Sequence, residues 1–380
     1  QMNQKITSRI APTPSGFLHA GNVYNFLLTY LFTRTFGGIL YLRIDDYDLP
    51  RYRRQYVENI FRVLEMLGID FDGGPGGVGE FETKFSSKFR LGAYQNALKT
   101  LEQKGVCYAC ECSHSMKNSF KNGIYARVCA DKNLKFKKDE TAMRLSTIDG
   151  AQINVRQNFI NFDALGCGSG GEASLAGRLC GNEQKAQDGA TNGLKNLTNL
   201  SGSDREKPGG EKFNLNTVEN SGESFLNSAN LGILNLTDEA AFEAEKFAQT
   251  QSVNLAQILG DFVVWKKDDT PAYNLASLVD DEILGVNLLV RGEDLLACSA
   301  AQKYMAQMLG YGFESSNFIH HGLLAHGGKK LSKSSRAPAV SVADGAKIHY
   351  KFAALKLSLD ASKCDTLSNL LEMFKEKFGR

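Results

Sequence analysis

Three features common in other protein classes are absent from this sequence: a large net charge, a long apolar run and a secretory signal. The 380 residues carry a formal net charge of only +2, so contact with nucleic acid must come from local basic patches. No apolar run reaches the roughly 18 residues of a membrane span, and the N-terminus lacks the apolar core of a signal peptide. We therefore expect a cytoplasmic protein without a membrane partner. The thiols of its eight cysteines are expected to be reduced, and some of them to bind a metal ion.

The order of predicted elements indicates an α/β fold. Residues 6–11 predict a short strand, Asn22 to Thr35 a helix, residues 39–45 a second strand, and residues 57–67 an amphipathic helix. This order is typical of a Rossmann-like, doubly wound parallel sheet.

The pattern resumes in the last third of the chain. Residues 261–265 predict a strand, residues 274–296 a strand, a turn and a second strand, and Ser299 to Leu309 a helix. Between the two halves, residues 166–230 are rich in Gly, Asn, Ser, Glu and Lys, and such a composition favours a flexible insertion.

The loop before the first predicted helix has the composition of a phosphate site. His19 lies at the helix N-terminus, where unpaired backbone N–H groups and the helix dipole favour an anion. Gly16 and Gly21 permit close backbone approach, and His19 can donate to a phosphate oxygen. The alternative is that His19 only caps the helix while the glycines form a turn.

A second cationic segment lies near the C-terminus. Lys330 and Lys333 stand three residues apart after Gly327-Gly328. A mobile loop with two lysines can neutralise charge on a leaving pyrophosphate, an effect worth a few kcal/mol. The alternative is a solvated basic loop.

Together the two segments resemble the signatures of class I aminoacyl-tRNA synthetases. HAGN (residues 19–22) stands where that family has "HIGH", and KLSKS (residues 330–334) stands for "KMSKS". Four blocks in order, RIAPTPSGFLHAGN, LRIDDYD, AYNLASLVDDEILGV and LVRGEDLL, are similar to the glutamyl branch, and the resemblance covers roughly residues 6–165 and 255–345. It implies activation of L-glutamate with ATP, accompanied by Mg²⁺. The implied catalytic residues are His19, Lys330 and Lys333, and the implied ATP contacts are His19, Gly21, Asn22 and Lys333.

Recognition of glutamate requires partners for two carboxylates and an ammonium group. Arginine suits a planar carboxylate, and an acidic side chain suits the ammonium. The resemblance implies that the glutamate contacts are Arg9, Ala11, Thr13, Asp45, Tyr273 and Arg291. Asp45 stands where the family usually has glutamate, and Asn22 is bulkier than its usual counterpart. We expect these changes to alter affinity rather than abolish chemistry; aspartate as the substrate is the remote alternative.

Three cysteines have a spacing that suits tetrahedral zinc. Cys110, Cys112 and Cys129 lie within twenty residues of one another. A metal ion at such a site would stabilise a small inserted segment that has no hydrophobic core of its own. The alternative is a set of structural cysteines without metal.

The fourth ligand is open on coordination chemistry. Cys107 or His114 would be better donors than Tyr125, because a phenol must lose a proton of pKa near 10. Cys-x-Cys followed by Tyr-x₃-Cys nevertheless resembles the zinc site of glutamyl-queuosine tRNA(Asp) synthetases, which implies Tyr125 as the fourth ligand of a structural zinc ion.

The same resemblance predicts the acceptor. Only residues 335–380 follow Ser334, so we expect no anticodon-binding domain, which favours the short paralogue. The implied reaction transfers glutamate to queuosine at the first anticodon position of tRNA(Asp). We expect the protein to be a monomer. Two alternatives stay open: a glutamyl-tRNA synthetase, or its catalytic fragment, that charges a tRNA 3′ end, and a zinc-stabilised RNA-binding module with a decayed active site.

These expectations divide the chain into five segments. They are the first half of the catalytic core (1–106), a zinc-binding insertion and connective region (107–163), a low-complexity insertion (164–250), the second half of the core with the KLSKS loop (251–340) and a short helical C-terminal region (341–380).

Overall fold

The computed structural model describes residues 5–113, 116, 119–121, 124–147, 152–160, 249–323, 325–326, 329–330 and 338–379. The flexible insertion predicted at 166–230 lies outside these residues, as do His114 and Lys333.

The described residues contain thirteen strands and nine α-helices, besides short 3₁₀ and π turns. The strands are β1 Thr7–Ile10, β2 Ile39–Leu42, β3 Cys107–Cys110, β4 Phe120–Lys121, β5 Ile124–Tyr125, β6 Ala142–Leu145, β7 Gln152–Ile160, β8 Gln249–Asn254, β9 Phe262–Trp265, β10 Leu288–Gly292, β11 Asn317–His321, β12 Ala325–His326 and β13 Lys329–Lys330. The helices are α1 Ala20–Thr35, α2 Arg54–Met66, α3 Val78–Glu80, α4 Leu91–Gln103, α5 Leu255–Ile258, α6 Tyr273–Ile283, α7 Leu296–Leu309, α8 Lys347–Lys356 and α9 Leu367–Phe378.

A parallel sheet forms the centre of the fold and confirms the predicted α/β class. β1 pairs in parallel with β2 across helix α1, and β10, β11 and β7 are parallel to one another, with β8 antiparallel at the edge. β1 lies beside β10, since the Asn287 N–H donates to the Thr7 carbonyl at 3.0 Å. The chain thus proceeds from β1 to β2 in one direction and from β10 to β11 in the other, which is the topological switch point where open α/β sheets bind ligands.

The prediction of a strand, a turn and a strand across residues 274–296 is wrong in its first half. That half is helix α6, and only the second half, β10, is a strand. Leu275 and Leu278 are buried on the inner side of the helix, and so are the adjacent Asp280 and Asp281. Two buried aspartates interrupt an amphipathic helical pattern, and ion pairs with distant residues are what make their burial possible.

The cysteine-rich segment is attached to the second half of the chain. β3, β6 and β9 form a three-stranded antiparallel sheet. β6, which precedes the predicted low-complexity insertion at 164–250, therefore pairs directly with β9, which follows it. β4 and β5 form a hairpin, and Tyr125 of β5 bridges to Gly260 just before β9.

The C-terminal helices pack against α1. The Phe32 and Phe374 rings meet edge to face with centroids 4.9 Å apart, and Phe374 is fully buried. The C-terminal segment predicted to be helical thus contains α8 and α9, and α9 contributes to the core. None of the helices in the described ranges is both long and apolar enough to cross a membrane.

Replacement of Phe374 by alanine should lower the free energy of unfolding by about 3–5 kcal/mol, because it empties a fully buried aromatic site. Urea unfolding followed by circular dichroism measures this loss. Phe378→Ala is the matched control: its ring is only partly buried, and its loss should cost less than about 2 kcal/mol. Equal losses in the two variants would contradict the docking of α9 on α1.

Candidate active site

Two predicted carboxylate partners meet at the switch point of the sheet. Arg9 lies at the end of β1 and Arg291 at the end of β10, and both are at least 96% buried. Because parallel strands end at the same edge of a sheet, the fold brings together two guanidinium groups 282 positions apart in the sequence.

Asp281 of α6 joins these guanidinium groups. Its Oδ1 accepts hydrogen bonds from Arg9 Nε at 2.8 Å and Arg43 Nη1 at 2.6 Å, and its Oδ2 lies 3.5 Å from Arg291 Nη2. Burial alone would raise the pKa of the Asp281 carboxyl, but the three arginines outweigh it and lower that pKa below its ordinary value. Asp281 is therefore an ionised carboxylate in a fully buried position.

Asp45, the predicted partner of the ammonium group, lies against Arg43. Arg43 Nε donates to Asp45 Oδ1 at 2.7 Å, and Arg43 Nη2 donates to Oδ2 at 3.2 Å. Burial raises the pKa of Asp45, with Arg43 opposing the effect. The Asp45 N–H donates to the Pro12 carbonyl at 2.9 Å, which places the strand end after β2 beside the predicted contacts Ala11 and Thr13.

The two arginines at the strand ends keep donors for a ligand. Arg9 donates to Asp281 through Nε. Its two Nη groups form no hydrogen bond within the described part of the chain. Arg291 donates through Nη1 to Ser299 Oγ at 3.1 Å, and its buried Nε has no partner among the described residues. Tyr273, the remaining predicted contact, is 37% exposed at the first residue of α6.

Asp280 holds the other side of α6. It forms a two-point ion pair with Arg90, at 2.7 and 2.8 Å, and it accepts hydrogen bonds from the hydroxyls of Tyr94 and Tyr47. The adjacent aspartates thus point to two separate partner sets, and α6 is fixed between α4 and the ends of the strands.

His19 caps α1, and its contact with phosphate stays a prediction. Its Nδ1 accepts the Gly21 N–H at 3.1 Å, while its backbone N–H donates to Asn22 Oδ1 at 3.1 Å, which completes a capping box. Acceptance at Nδ1 puts the proton on Nε2, the nitrogen that can donate to a phosphate oxygen. A Cβ at position 21 would lie 3.0 Å from the His19 ring, so a larger residue there would require the ring to shift by a few tenths of an ångström.

The second lysine segment is described only in part. Lys330 ends β13, and Lys333 lies outside the described residues. Beyond that segment, the Val340 N–H donates to the Leu18 carbonyl at 2.8 Å, one residue before His19. The chain that leaves the second motif is therefore bonded to the first.

The structure brings the three predicted thiols together. The Sγ atoms of Cys110, Cys112 and Cys129 lie within 4.8 Å of one another, with Cys112 and Cys129 at 3.5 Å, and all three residues are buried. Donor atoms around a tetrahedral zinc ion lie about 3.3–3.8 Å apart, since Zn–S is about 2.3 Å and Zn–O about 2.0 Å. The thiols can thus hold a metal ion.

The Tyr125 hydroxyl completes the donor set. Its oxygen lies 3.2 Å from Cys110 Sγ and 3.6 Å from Cys112 Sγ. Burial and the neighbouring thiols raise the pKa of Tyr125, so a phenolate forms there only when a cation displaces the proton. The Arg144 guanidinium lies 3.8 Å from the ring centroid, which favours negative charge on the phenol.

Cys107, the alternative fourth ligand, lies apart from this group. Its side chain packs against the apolar cluster around β9 and α7, and burial raises the pKa of its thiol to about 12. Of the alternatives, only His114 stays unplaced, because it lies outside the described residues.

Two charged residues of the site were missed by sequence reasoning. Arg43 and Asp281 stand inside the blocks that resemble the glutamyl branch, but no role was assigned to either. Each is a charged residue within a run whose other residues are expected to be buried. Burial of such a residue requires a partner of opposite charge, and this is the signal that could have identified it.

The comparisons with known proteins identify the family. The family described as "tRNA synthetases class I (E and Q), catalytic domain" matches residues 5–157 and 245–351. The match covers more than half of the chain, so the chain belongs to this family of class I tRNA synthetases.

Its curated relatives include proteins with two different names. The chain is 26% identical to "Glutamate--tRNA ligase 2" of Syntrophus aciditrophicus over 88% of its own length and 52% of the ligase. It is 27% identical to "Glutamyl-Q tRNA(Asp) synthetase" of Pseudomonas putida over 90% of its length and 81% of that protein. The chain thus spans about half the length of the glutamate–tRNA ligases that it matches.

A solved structure shows the same fold. The glutamate tRNA ligase of Elizabethkingia meningosepticum, crystallised with its amino acid, superposes with a TM-score of 0.55 at 16% identity, over 98% of this chain and 66% of that one.

Acid should destabilise the protein through two buried histidines. Burial lowers the pKa of His320 to about 3 and that of His349 to about 4. In the unfolded chain the same groups take up protons near pH 6.5, so their contribution to stability falls as pH drops from about 7 toward 4. Each histidine should cost about 2 kcal/mol between pH 7 and 5.

Urea unfolding at pH 7 and at pH 5 measures this effect. His349→Gln, which lies outside the candidate active site, should remove about 2 kcal/mol of the wild-type difference. An unchanged pH dependence in that variant would refute the argument.

Proposed function

We propose that this chain activates L-glutamate with ATP. The observation that carries the proposal is the pair of buried arginines, Arg9 and Arg291, which keep donors for carboxylates at the switch point of the sheet. Asp45 and Tyr273, with the backbone at Ala11 and Thr13, would complete the glutamate site, Asp45 through its charge toward the ammonium group.

The reaction needs positioning and charge stabilisation rather than a covalent nucleophile. The α-carboxylate of glutamate attacks the α-phosphorus of ATP, the bond to the β-phosphate oxygen breaks, and glutamyl-adenylate and pyrophosphate form. His19 Nε2 donates to a phosphate oxygen at the start of α1, where Gly21 and Asn22 shape the approach. Lys330 and Lys333 offset the charge of the leaving pyrophosphate. Mg²⁺ bound to the triphosphate would offset further negative charge.

We further propose queuosine of tRNA(Asp) as the acceptor of the glutamyl group. Two observations support it: the Cys110, Cys112, Tyr125 and Cys129 donor set, and relatives named Glutamyl-Q tRNA(Asp) synthetase that match 90% of the chain. A second candidate is the charging of a tRNA 3′ end, supported by glutamate–tRNA ligases at 26–28% identity. Identity alone does not separate the two groups.

The metal of the cysteine cluster is proposed to be zinc in a structural role. Three thiols within 4.8 Å of one another and a phenol oxygen 3.2 Å from one of them suit zinc, and four protein donors would leave no open position for catalysis.

Glutamate-dependent exchange of pyrophosphate into ATP tests the activation step, and labelling of tRNA(Asp) with and without queuosine tests the acceptor. We expect exchange with glutamate, and labelling of the queuosine-containing tRNA alone. Equal labelling of both tRNAs would favour the 3′ end as the acceptor. No exchange in the presence or absence of tRNA would overturn the proposed activation.

Tyr125→Phe should lower zinc affinity by about 10- to 100-fold, because it removes one donor and keeps the ring beneath Arg144. Zinc content by mass spectrometry and competition with a chromophoric chelator measure the change. Tyr108→Phe is the matched control, since its hydroxyl bonds Asp261 at 2.6 Å and lies outside the donor set. Wild-type affinity in Tyr125→Phe would remove tyrosine from the ligand set, and wild-type protein with less than stoichiometric zinc would remove the site.

A further inference from the structure

The buried charges at the strand ends do not balance. Three guanidinium groups, those of Arg9, Arg43 and Arg291, face only two carboxylates, those of Asp45 and Asp281. All five side chains are at most 5% exposed. Counted over these five side chains, one positive charge remains where an uncompensated buried ion is costly.

Two further buried carboxylates lie next to this cluster, and neither contacts its three arginines. Asp46 accepts hydrogen bonds from Ser86 Oγ at 2.6 Å and from the Ser87 N–H at 2.8 Å. Asp280 is neutralised by its two-point pair with Arg90. His320, which lies 3.1 Å from Ser299, stays neutral because burial lowers its pKa to about 3, and burial also lowers the pKa of His321. A ligand with a single net negative charge would bring the buried cluster to neutrality.

The roles of the three arginines differ. Every donor nitrogen of Arg43 is engaged: Nε and Nη2 with Asp45, Nη1 with Asp281, and both Nη groups with Ser277. Arg9 and Arg291 keep donors for a ligand, and each has one nitrogen directed to Asp281. The direction in which these donors point is thus set by the Asp281 carboxylate.

We propose that Asp281 is a positioning residue that orients Arg9 and Arg291 and limits the charge of the site, so that it selects a ligand of net charge −1. The inference rests on the proposed function and deepens it, since glutamate, with two carboxylates and one ammonium group, carries that charge. Glutarate has the same chain and both carboxylates but no ammonium group, so it is a dianion at neutral pH and a probe of the charge rule.

The test measures dissociation constants of glutamate and glutarate by calorimetry on the full chain at pH 7.5. Wild-type protein should prefer glutamate. Asp281→Asn adds one positive charge, so the ratio of glutarate to glutamate affinity should rise about tenfold or more, while glutamate itself binds more weakly because the arginines lose their orientation. A residue with only a structural role would not shift the ratio.

Asp280→Asn is the matched control. It removes a carboxylate of equal burial from the adjacent position, and its ion pair is with Arg90 rather than with the ligand-facing arginines. We expect a loss of thermal stability and an affinity ratio within about threefold of wild type, less than the effect of one unit charge at this site.

Arg43→Gln is a second variant that shifts the charge in the opposite direction. It should lower the ratio of glutarate to glutamate affinity, which keeps the test decisive if Asp281→Asn does not fold. Circular dichroism and thermal unfolding check each variant.

The outcomes separate the two proposals. If wild-type protein does not bind glutamate, the proposed function is wrong and the role of Asp281 falls with it. If wild-type protein binds glutamate but the ratio moves less than about threefold in the folded charge variants, or moves equally in Asp280→Asn, only the inference about Asp281 is overturned.

Discussion

The carboxylate of Asp281 is the interaction on which the candidate active site depends. Arg9, Arg43 and Arg291 come from three strand ends, and their side chains are at most 5% exposed. Guanidinium groups this close repel one another, and burial without a partner costs several kcal/mol per charge. α6 carries Asp281 to the point where β1 and β10 end side by side, so one carboxylate both permits the burial and fixes the donors.

The side chain of His19, at the start of α1, is likewise compatible with two roles. A cap and a phosphate donor are not competing roles, because they use opposite nitrogens of the imidazole. Nδ1 accepts the Gly21 N–H, which stabilises the first turn of α1 and leaves the proton on Nε2. The cap therefore prepares the tautomer that phosphate binding needs, and Asn22, bulkier than the residue expected there, supplies the reciprocal bond.

Local patterns in the sequence predicted the central elements of the two halves of the core and the residues that contact partners nearby. The helix after Pro14, the strand at 261–265 and the thiols of Cys110, Cys112 and Cys129 followed from spacing within about twenty residues. Arg43 and Asp281 were missed because they bond across 238 positions, and α6 was partly mistaken for a strand because its aspartates hide the helical pattern. Long-range charge pairing leaves no periodic signal in a sequence.

Strand β9 connects the cysteine cluster to the candidate active site. Just before it, Gly260 bridges to Tyr125, and the Asp261 carboxylate accepts hydrogen bonds from Tyr108 and from the Thr147 N–H. Just after it, a short turn in which Trp265 bridges to Pro271 leads directly into α6. The segment before the strand is thus held by the hairpin that carries Tyr125, while the other end of the strand leads to the start of the helix that carries Asp281. The cysteine cluster is therefore joined to the helix that carries Asp281 through one four-residue strand.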